Sequence, residues 1–131
     1  MADHASDLRA TALAHAHSSL GAKLIGFGGW LMPVQYSGIL AEHDAVRSRC
    51  GLFDISHMGE IQASGKDACR FLNSLLTNDL RKLSPGKGQY TLLTNDAGGV
   101  IDDLIAYQTV DQRCLPVVNA SKIDHVGAWL M

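Results

Sequence analysis

The stretch that most constrains this chain is residues 98–107, Gly-Gly-Val-Ile-Asp-Asp-Leu-Ile-Ala-Tyr, where two adjacent carboxylates, Asp102 and Asp103, interrupt a run that otherwise reads as a β-strand. Ionised carboxylates are rarely buried without partners, and doing so uncompensated costs several kcal/mol, so the pair must be capped, paired or used. Gly98 and Gly99, with Asn95-Asp96-Ala97 ahead of them, mark a turn that joins this run to residues 89–94, and the whole predicts a β-hairpin. Strand alternation sets Ile101, Asp103, Ile105 and Tyr107 on one face and Val100, Asp102, Leu104 and Ala106 on the other. Both rows are mainly apolar, which predicts burial on both faces and leaves open which aspartate faces a pocket and which is held by backbone amides. The Tyr107 row is the better ligand wall, because its phenol supplies an amphipathic tip.

At 131 residues the chain fits one ordinary domain with room for a second small unit. Hydrophobic residues at 47% and charged residues at 18% describe a globular protein rather than a disordered one. A net charge of -2 without any Lys/Arg-rich run argues against nucleic acid or an anionic membrane as the main partner. Cys50, Cys69 and Cys114 are far apart and include no C-x-x-C, which predicts reduced structural thiols. The first residues carry Asp3 and Asp7 where a signal peptide needs a basic region, and no apolar segment of membrane-spanning length occurs, so a cytoplasmic location is expected. The histidines His4, His15, His17, His43, His57 and His125 form no H-E-x-x-H and have no cysteine at zinc spacing, so no metal site is expected and most should be solvated or satisfied within the core.

In chain order, a short helix is expected over 8–17. The glycine-rich segment 21–33 fails as a dinucleotide fingerprint, since Leu31 stands where the third glycine is needed and Pro33 where a helix should open; its glycines are expected to let Trp30 and the backbone pack closely. Gly86-Lys87-Gly88 lacks the rest of a phosphate-binding loop. Ser37 should cap a helix over 38–50, in which Glu42-His43-Asp44 is a plain charged turn. Residues 52–55 read as a short strand, and 56–60 as a break that puts Met58 at a surface or pocket edge. A strand over 60–64 leads into Ser64-Gly65-Lys66-Asp67, a capping box for a helix carrying Ala68, Phe71, Leu72, Leu75 and Leu76 at helical spacing. After the hairpin, 113–119 reads as a strand that Pro116 should confine to an edge or make irregular, and Ser121 opens a last helix. The order strand, helix, three strands, helix predicts an α+β unit of split-βαβ, ferredoxin-like type built on an antiparallel sheet, spanning 59–131 after an N-terminal segment 1–58. That helix meets no stop signal before Met131, which predicts that the sequence is the N-terminal portion of a longer protein.

Gly21-Ala22-Lys23, Gly29-Trp30-Leu31-Met32-Pro33, Phe53-Asp54-Ile55-Ser56-His57-Met58-Gly59, Thr77-Asn78-Asp79, the stretch 98–107 and Val117-Val118-Asn119-Ala120 occur here in one order and spacing. In this the chain resembles the glycine cleavage system T-protein family, the aminomethyltransferases, from about residue 11 onward. The resemblance implies the N-terminal part of a three-domain, cloverleaf-like fold, with 1–58 an incomplete segment of the first folate-binding domain and 59–131 the truncated split-βαβ unit. It implies transfer of a one-carbon unit from the aminomethyl-lipoyl arm of the H-protein to tetrahydrofolate, with release of ammonia and formation of methylenetetrahydrofolate. Tetrahydrofolate is then co-substrate, the lipoylated H-protein is partner, and no metal, nucleic acid or membrane takes part. Carried over by position, Asp103 is the catalytic carboxylate, and Met58, Tyr90, Asp103, Ile105, Tyr107 and Asn119 are folate-binding. A carboxylate beside a pterin amine can orient it, accept its proton or stabilise developing positive charge. The resemblance also implies that this segment alone is inactive. The alternative is a non-catalytic folate-binding relative acting in iron–sulfur protein maturation; retention of the Asp-Asp strand and of Ser56-His57-Met58 favours the transferase.

Overall fold

The computed structural model describes residues 8–109 and 113–131; the acidic N-terminus, with Asp3, His4 and Asp7, lies outside the described residues. The chain divides between His57 and Met58 into two compact units. Among the described residues no helix is long and apolar enough to cross a membrane.

The first unit runs β1 (Arg9–Ala10), α1 (Ala14–Ser19), β2 (Lys23–Phe27), β3 (Trp30–Gln35) and α2 (Ile39–Ser48). Its sheet has the order β1-β3-β2, with β1 parallel and β2 antiparallel to β3. Gly28 and Gly29, at φ 58° and 83°, form the two-residue turn between β2 and β3, where both positions need positive φ. A Cβ on Gly29 would meet nothing within 4 Å, so this glycine serves the turn and not the close packing expected around Trp30. The expected helix over 8–17 starts late because Arg9 and Ala10 pair with Trp30 and Leu31, and Thr11 then closes the first turn through its carbonyl and hydroxyl. Ser37 is not the cap of α2. Glu42 bends back instead and accepts from the Tyr36 and Gly38 backbone N–H groups at 2.8 and 2.9 Å, which holds its carboxyl below the usual range. Residues 52–55 join no sheet, so the strand expected there is absent; Leu52, Phe53 and Ile55 stand exposed, and Asp54 ties the segment down through its hydrogen bonds to Thr11 and His17.

The second unit runs β4 (Gly59–Glu60), α3 (Ala68–Leu75), β5 (Lys87–Thr94), β6 (Val100–Gln108), β7 (Cys114–Val118) and α4 (Ile123–Leu130). All pairings are antiparallel in the order β4-β7-β6-β5: α3 carries the chain from one edge to the other, and three strands return as a meander. Leu72 and Leu76, from α3 and its end, pack with Leu80, Leu93, Leu104, Ala106, Val118 and Val126 of α4 in one buried cluster, so both helices cover the same face of the sheet. The other face is open within this unit, against the expectation of burial on both: Ile105 and Tyr107 are 39% and 38% exposed. The capping box does not form. Gly65, at φ 113°, turns the chain so that its own carbonyl receives the Ala68 N–H, and Asp67 pairs outward with Arg70 at 3.1 Å.

Two further expectations are corrected. Of the two outcomes expected from Pro116, the edge position is corrected, since β7 lies inside the sheet with Pro116 fully buried, and the local irregularity is found, since regular pairing with β4 ends at the Glu60–Val117 pair. The Pro116 carbonyl accepts from Ile61 N–H at 3.0 Å, so its missing donor points to the same side, toward 61–63, where β4 has already ended and the pairing is reduced to the Ala63–Cys114 bridge. Cys69 and Cys114 are not free thiols: they form a disulfide between α3 and β7, with Cα atoms 5.9 Å apart, because the helix lies across the sheet at that point. Cys50 is the free and exposed cysteine.

Candidate functional site

The register of the second sheet assembles the site. Tyr90 pairs with Ile105 and Ile105 with Val117, while Gly88 pairs with Tyr107 and Leu92 with Asp103. Since side chains directly opposite share a face, Tyr90, Asp103, Ile105 and Tyr107 stand together on the open side. Asn119 lies one residue beyond the Gly59–Val118 pair and Met58, half-buried, one residue before it. Five of the proposed ligand residues are therefore placed by three neighbouring strands, and Met58 by the mouth of the fourth.

The two aspartates part ways. A bulge between the Leu93–Asp102 and Thr94–Val100 pairs inserts Ile101 as an extra residue. Ile101 joins the buried cluster with Leu104 and Ala106, not the Asp103 row in which simple alternation put it. Asp102 is 5% exposed and faces the core side, where it accepts from the Asn119 backbone N–H at 3.1 Å and from Asn119 Nδ2 at 2.9 Å. Asp103 faces outward: Tyr90 donates its hydroxyl to Asp103 Oδ2 at 3.0 Å, and Asn119 Nδ2 lies 3.1 Å from Oδ1 and 2.9 Å from the Asp103 carbonyl. The hydrogen bond to Asp103, with lesser help from desolvation and the aspartate charges, raises the Tyr90 phenol above its ordinary value, since the proton that makes the bond is harder to remove.

The walls are fixed from behind. Asn78 Nδ2 donates to the Tyr90 carbonyl at 2.6 Å and Thr77 accepts from Leu92 N–H at 3.1 Å, so the segment after α3 covers the outer edge of β5. Gly88 leaves room for Tyr107, whose ring carbon Cδ1 would sit 2.5 Å from any Cβ built there. Neither the Asn119 clamp on Asp102 nor this glycine seat was foreseen. The first would have needed the β6–β7 register, and the second the β5–β6 register, which a hairpin with a five-residue loop and a bulge does not fix from sequence.

The first unit holds a separate polar network. His17, 6% exposed, places Nδ1 2.7 Å from the Tyr36 hydroxyl and Nε2 2.8 Å from Asp54 Oδ2. Thr11 donates to the same oxygen at 2.8 Å, and Ser56 donates its N–H and its hydroxyl to Asp54 Oδ1. Burial alone would raise the Asp54 carboxyl; the hydrogen bonds from His17, Ser56 and Thr11 outweigh it and hold the group far below the usual carboxylate range. A mainly apolar cavity of about 530 Å³ opens beside Tyr36 and Asp54, lined also by Met32, Val46 and Phe53, and none of the proposed ligand residues borders it. Among the described residues no three His, Cys, Asp or Glu side chains converge as a metal site would require.

Comparison with known proteins gives this geometry a family. The chain is 54% identical over 125 residues to an aminomethyltransferase of Desulforamulus reducens, and 50% identical over 123 residues to that of Bacillus subtilis. These matches cover 95% and 94% of the chain and 34% of each relative, so the chain spans about a third of the length of the curated relatives it matches. The crystal structure of glycine cleavage system aminomethyltransferase T from Bartonella henselae superposes with a TM-score of 0.88 at 39% identity, over 94% of this chain and 34% of that one. The family model described as the GCVT N-terminal domain matches residues 13–131, and the chain belongs to that family.

Proposed function

We propose that this chain is the N-terminal third of an aminomethyltransferase of the glycine cleavage system, which transfers the one-carbon unit from the aminomethyl-lipoyl arm of H-protein to tetrahydrofolate. The observation that carries the reading is the Asp103 carboxylate, set on the open face of the sheet with the Tyr90 hydroxyl donating to Oδ2, Asn119 Nδ2 3.1 Å from Oδ1, and Ile105 and Tyr107 on its flank. The relatives' names, aminomethyltransferase in each case, support it. In this reading Tyr90, Ile105 and Tyr107 line the folate from the hairpin, Met58 and Asn119 close the β4–β7 end, and Asp103 meets the reacting amine. The folate supplies the nucleophilic nitrogen. Asp103 orients its N–H, can take its proton, and stabilises positive charge as ammonia departs; the Tyr90 hydroxyl on Oδ2 keeps the carboxylate from rotating. Segment 1–58 belongs, in the same reading, to an incomplete first folate-binding domain, and the protein works in the cytoplasm without a metal. The transferase is preferred to the iron–sulfur maturation alternative because both aspartates are in place and one of them reaches the open face.

The test is aminomethyl transfer by the full-length protein and by its Asp103→Asn variant, with H-protein carrying the aminomethyl group. Asp103→Asn keeps the shape and one acceptor but removes the charge, and turnover should fall roughly 10²-fold or more while tetrahydrofolate affinity falls much less. Full turnover in Asp103→Asn would sink the assignment.

A further inference from the structure

Asp102 is engaged in a way that burial alone does not explain, because both its oxygens are taken by one residue: Oδ2 by the Asn119 backbone N–H and Oδ1 by the Asn119 carboxamide. The same Nδ2 has two more acceptors in reach, the Asp103 carbonyl at 2.9 Å and Asp103 Oδ1 at 3.1 Å. A carboxamide nitrogen carries two hydrogens, so three acceptors compete for two donors. Asp102 is buried and its Oδ1 has Asn119 as its partner, while of the two Asp103 acceptors the carbonyl is the nearer, at 2.9 Å, and is fixed by the backbone, whereas Oδ1 lies at 3.1 Å on a side chain that faces outward. The acceptor left in surplus is Asp103 Oδ1, while Asp103 Oδ2 keeps the Tyr90 hydroxyl.

We propose that Asp102 is a positioning residue: it locks the Asn119 carboxamide, and the locked carboxamide presents Asp103 Oδ1 as the oxygen that receives a ligand N–H. All three groups around Nδ2 are acceptors, and a carboxylate at 102, which has no hydrogen to offer the Asn119 oxygen, leaves the amide one way to face. With Asn at 102 a second amide competes, and a flipped Asn119 would turn its own oxygen on Asp103. The inference rests on the reading of Asp103 as the acting carboxylate, and adds which oxygen acts and what holds it.

The first measurement needs no ligand: proton exchange of the Asn119 side-chain amide in full-length protein, followed by nitrogen-resolved NMR and identified by the signal that Asn119→Ser removes. The wild-type protons should exchange at least about 10-fold more slowly than a free carboxamide, and Asp102→Asn should abolish most of that protection. The second measurement is a double-mutant cycle in kcat. Asp102→Asn should lower kcat about 10-fold with little change in KM for tetrahydrofolate, yet less than about 2-fold further when Asn119→Ser is already present, since a residue acting only through Asn119 has nothing left to act on. Free-amide exchange in wild type, unchanged protection in folded Asp102→Asn, or additive effects on kcat would each overturn the proposal. Should Asp102→Asn fail to fold, the wild-type exchange rate and Asp102→Ser carry the same decision. Absence of aminomethyl transfer by the wild type would refute the function while amide exchange still judged Asp102.

Discussion

Gly88→Ala is the sharpest probe of how the site wall is built, because its effects on stability and on binding should separate. Gly88 has an ordinary strand backbone, so alanine meets no conformational strain there and should gain roughly 0.5–1 kcal/mol by restricting the unfolded chain. Against this, the new Cβ would lie 2.5 Å from Cδ1 and 2.6 Å from Cε1 of Tyr107, well inside contact distance. If the ring stayed, overpacking of this kind would cost about 1–3 kcal/mol. It need not stay, because Tyr107 is 38% exposed and can swing outward, exchanging that clash for the smaller loss of its seat on the strand. Stability should therefore change by no more than about 1 kcal/mol in either direction. Binding has no such escape, since the displaced ring leaves the row it shares with Asp103 and Ile105. An aromatic wall contributes about 0.5–1.5 kcal/mol beyond its area, equivalent to a roughly 2- to 12-fold weaker Kd. Calorimetric titration of full-length protein with tetrahydrofolate, alongside thermal melts, measures both. Gly88→Ala and Tyr107→Ala should agree within about 3-fold in Kd. If Gly88→Ala binds as the wild type does and melts normally, Tyr107 is not a wall of the site.

In the first unit, the Asp54 carboxylate is held below its ordinary value in the folded state, so its contribution is complete above the unfolded value of about 3.9 and is lost as pH falls from there through the depressed folded value. Thermal melts of Asp54→Asn should show a loss of about 2–3 kcal/mol at neutral pH and a flatter decline below about pH 4; an acid limb as steep as the wild type's would refute the network's role. The Cys69–Cys114 bridge closes a separation of 45 residues, for which chain entropy gives about 4 kcal/mol. Peptide mapping without reductant should recover the two cysteines cross-linked, and reduction should lower the melting temperature; alkylation of both without reductant would show that the bridge does not form.

What was legible in the sequence follows the range over which the physics acts. The hairpin could be read because its turn chemistry is local: Asn95 Oδ1 accepts from the Ala97 and Gly99 N–H groups, and Gly98 adopts φ 79°. Helix α3 could be read because its apolar spacing repeats over two turns. The start of α2 could not, since a glutamate four residues inside the helix and a serine just outside it offer equivalent oxygens, and only the backbone path at Gly38, φ 152°, selects Glu42. The Tyr36–His17–Asp54 network escaped for a different reason: its members are separated by 19 and 37 residues, and nothing local marks His17 as the buried one among the described histidines. Pro116 misled because the rule that proline avoids central strands concerns the missing donor, and here that donor faces the one side on which the neighbouring strand has stopped.

The adjacent aspartates show why a period of two is sufficient for one distinction and not for another. Neighbouring residues on a strand must face opposite sides, so one carboxylate of the pair was bound to meet the helices and the other the open face, whatever the register. Which was which is set beyond the bulge, where regular pairing puts Asp103 in the row of Ile105 and Tyr107, and the bulge re-aims Ile101 alone. Ile101 occupies the extra position, so the strand enters the sheet with Ile101 and Asp102 both buried, and the alternation that places Asp103, Ile105 and Tyr107 outward begins only after it. Removing one residue before Asp102 and closing the bulge would not simply shorten the loop. It would set local backbone geometry against the Asn119 clamp, which fixes Asp102 from β7 independently of β5. The outward aspartate is thus specified twice, by the pleat and by a partner strand, and the second specification is what allows two carboxylates to stand side by side in a strand without either one being left unpaired.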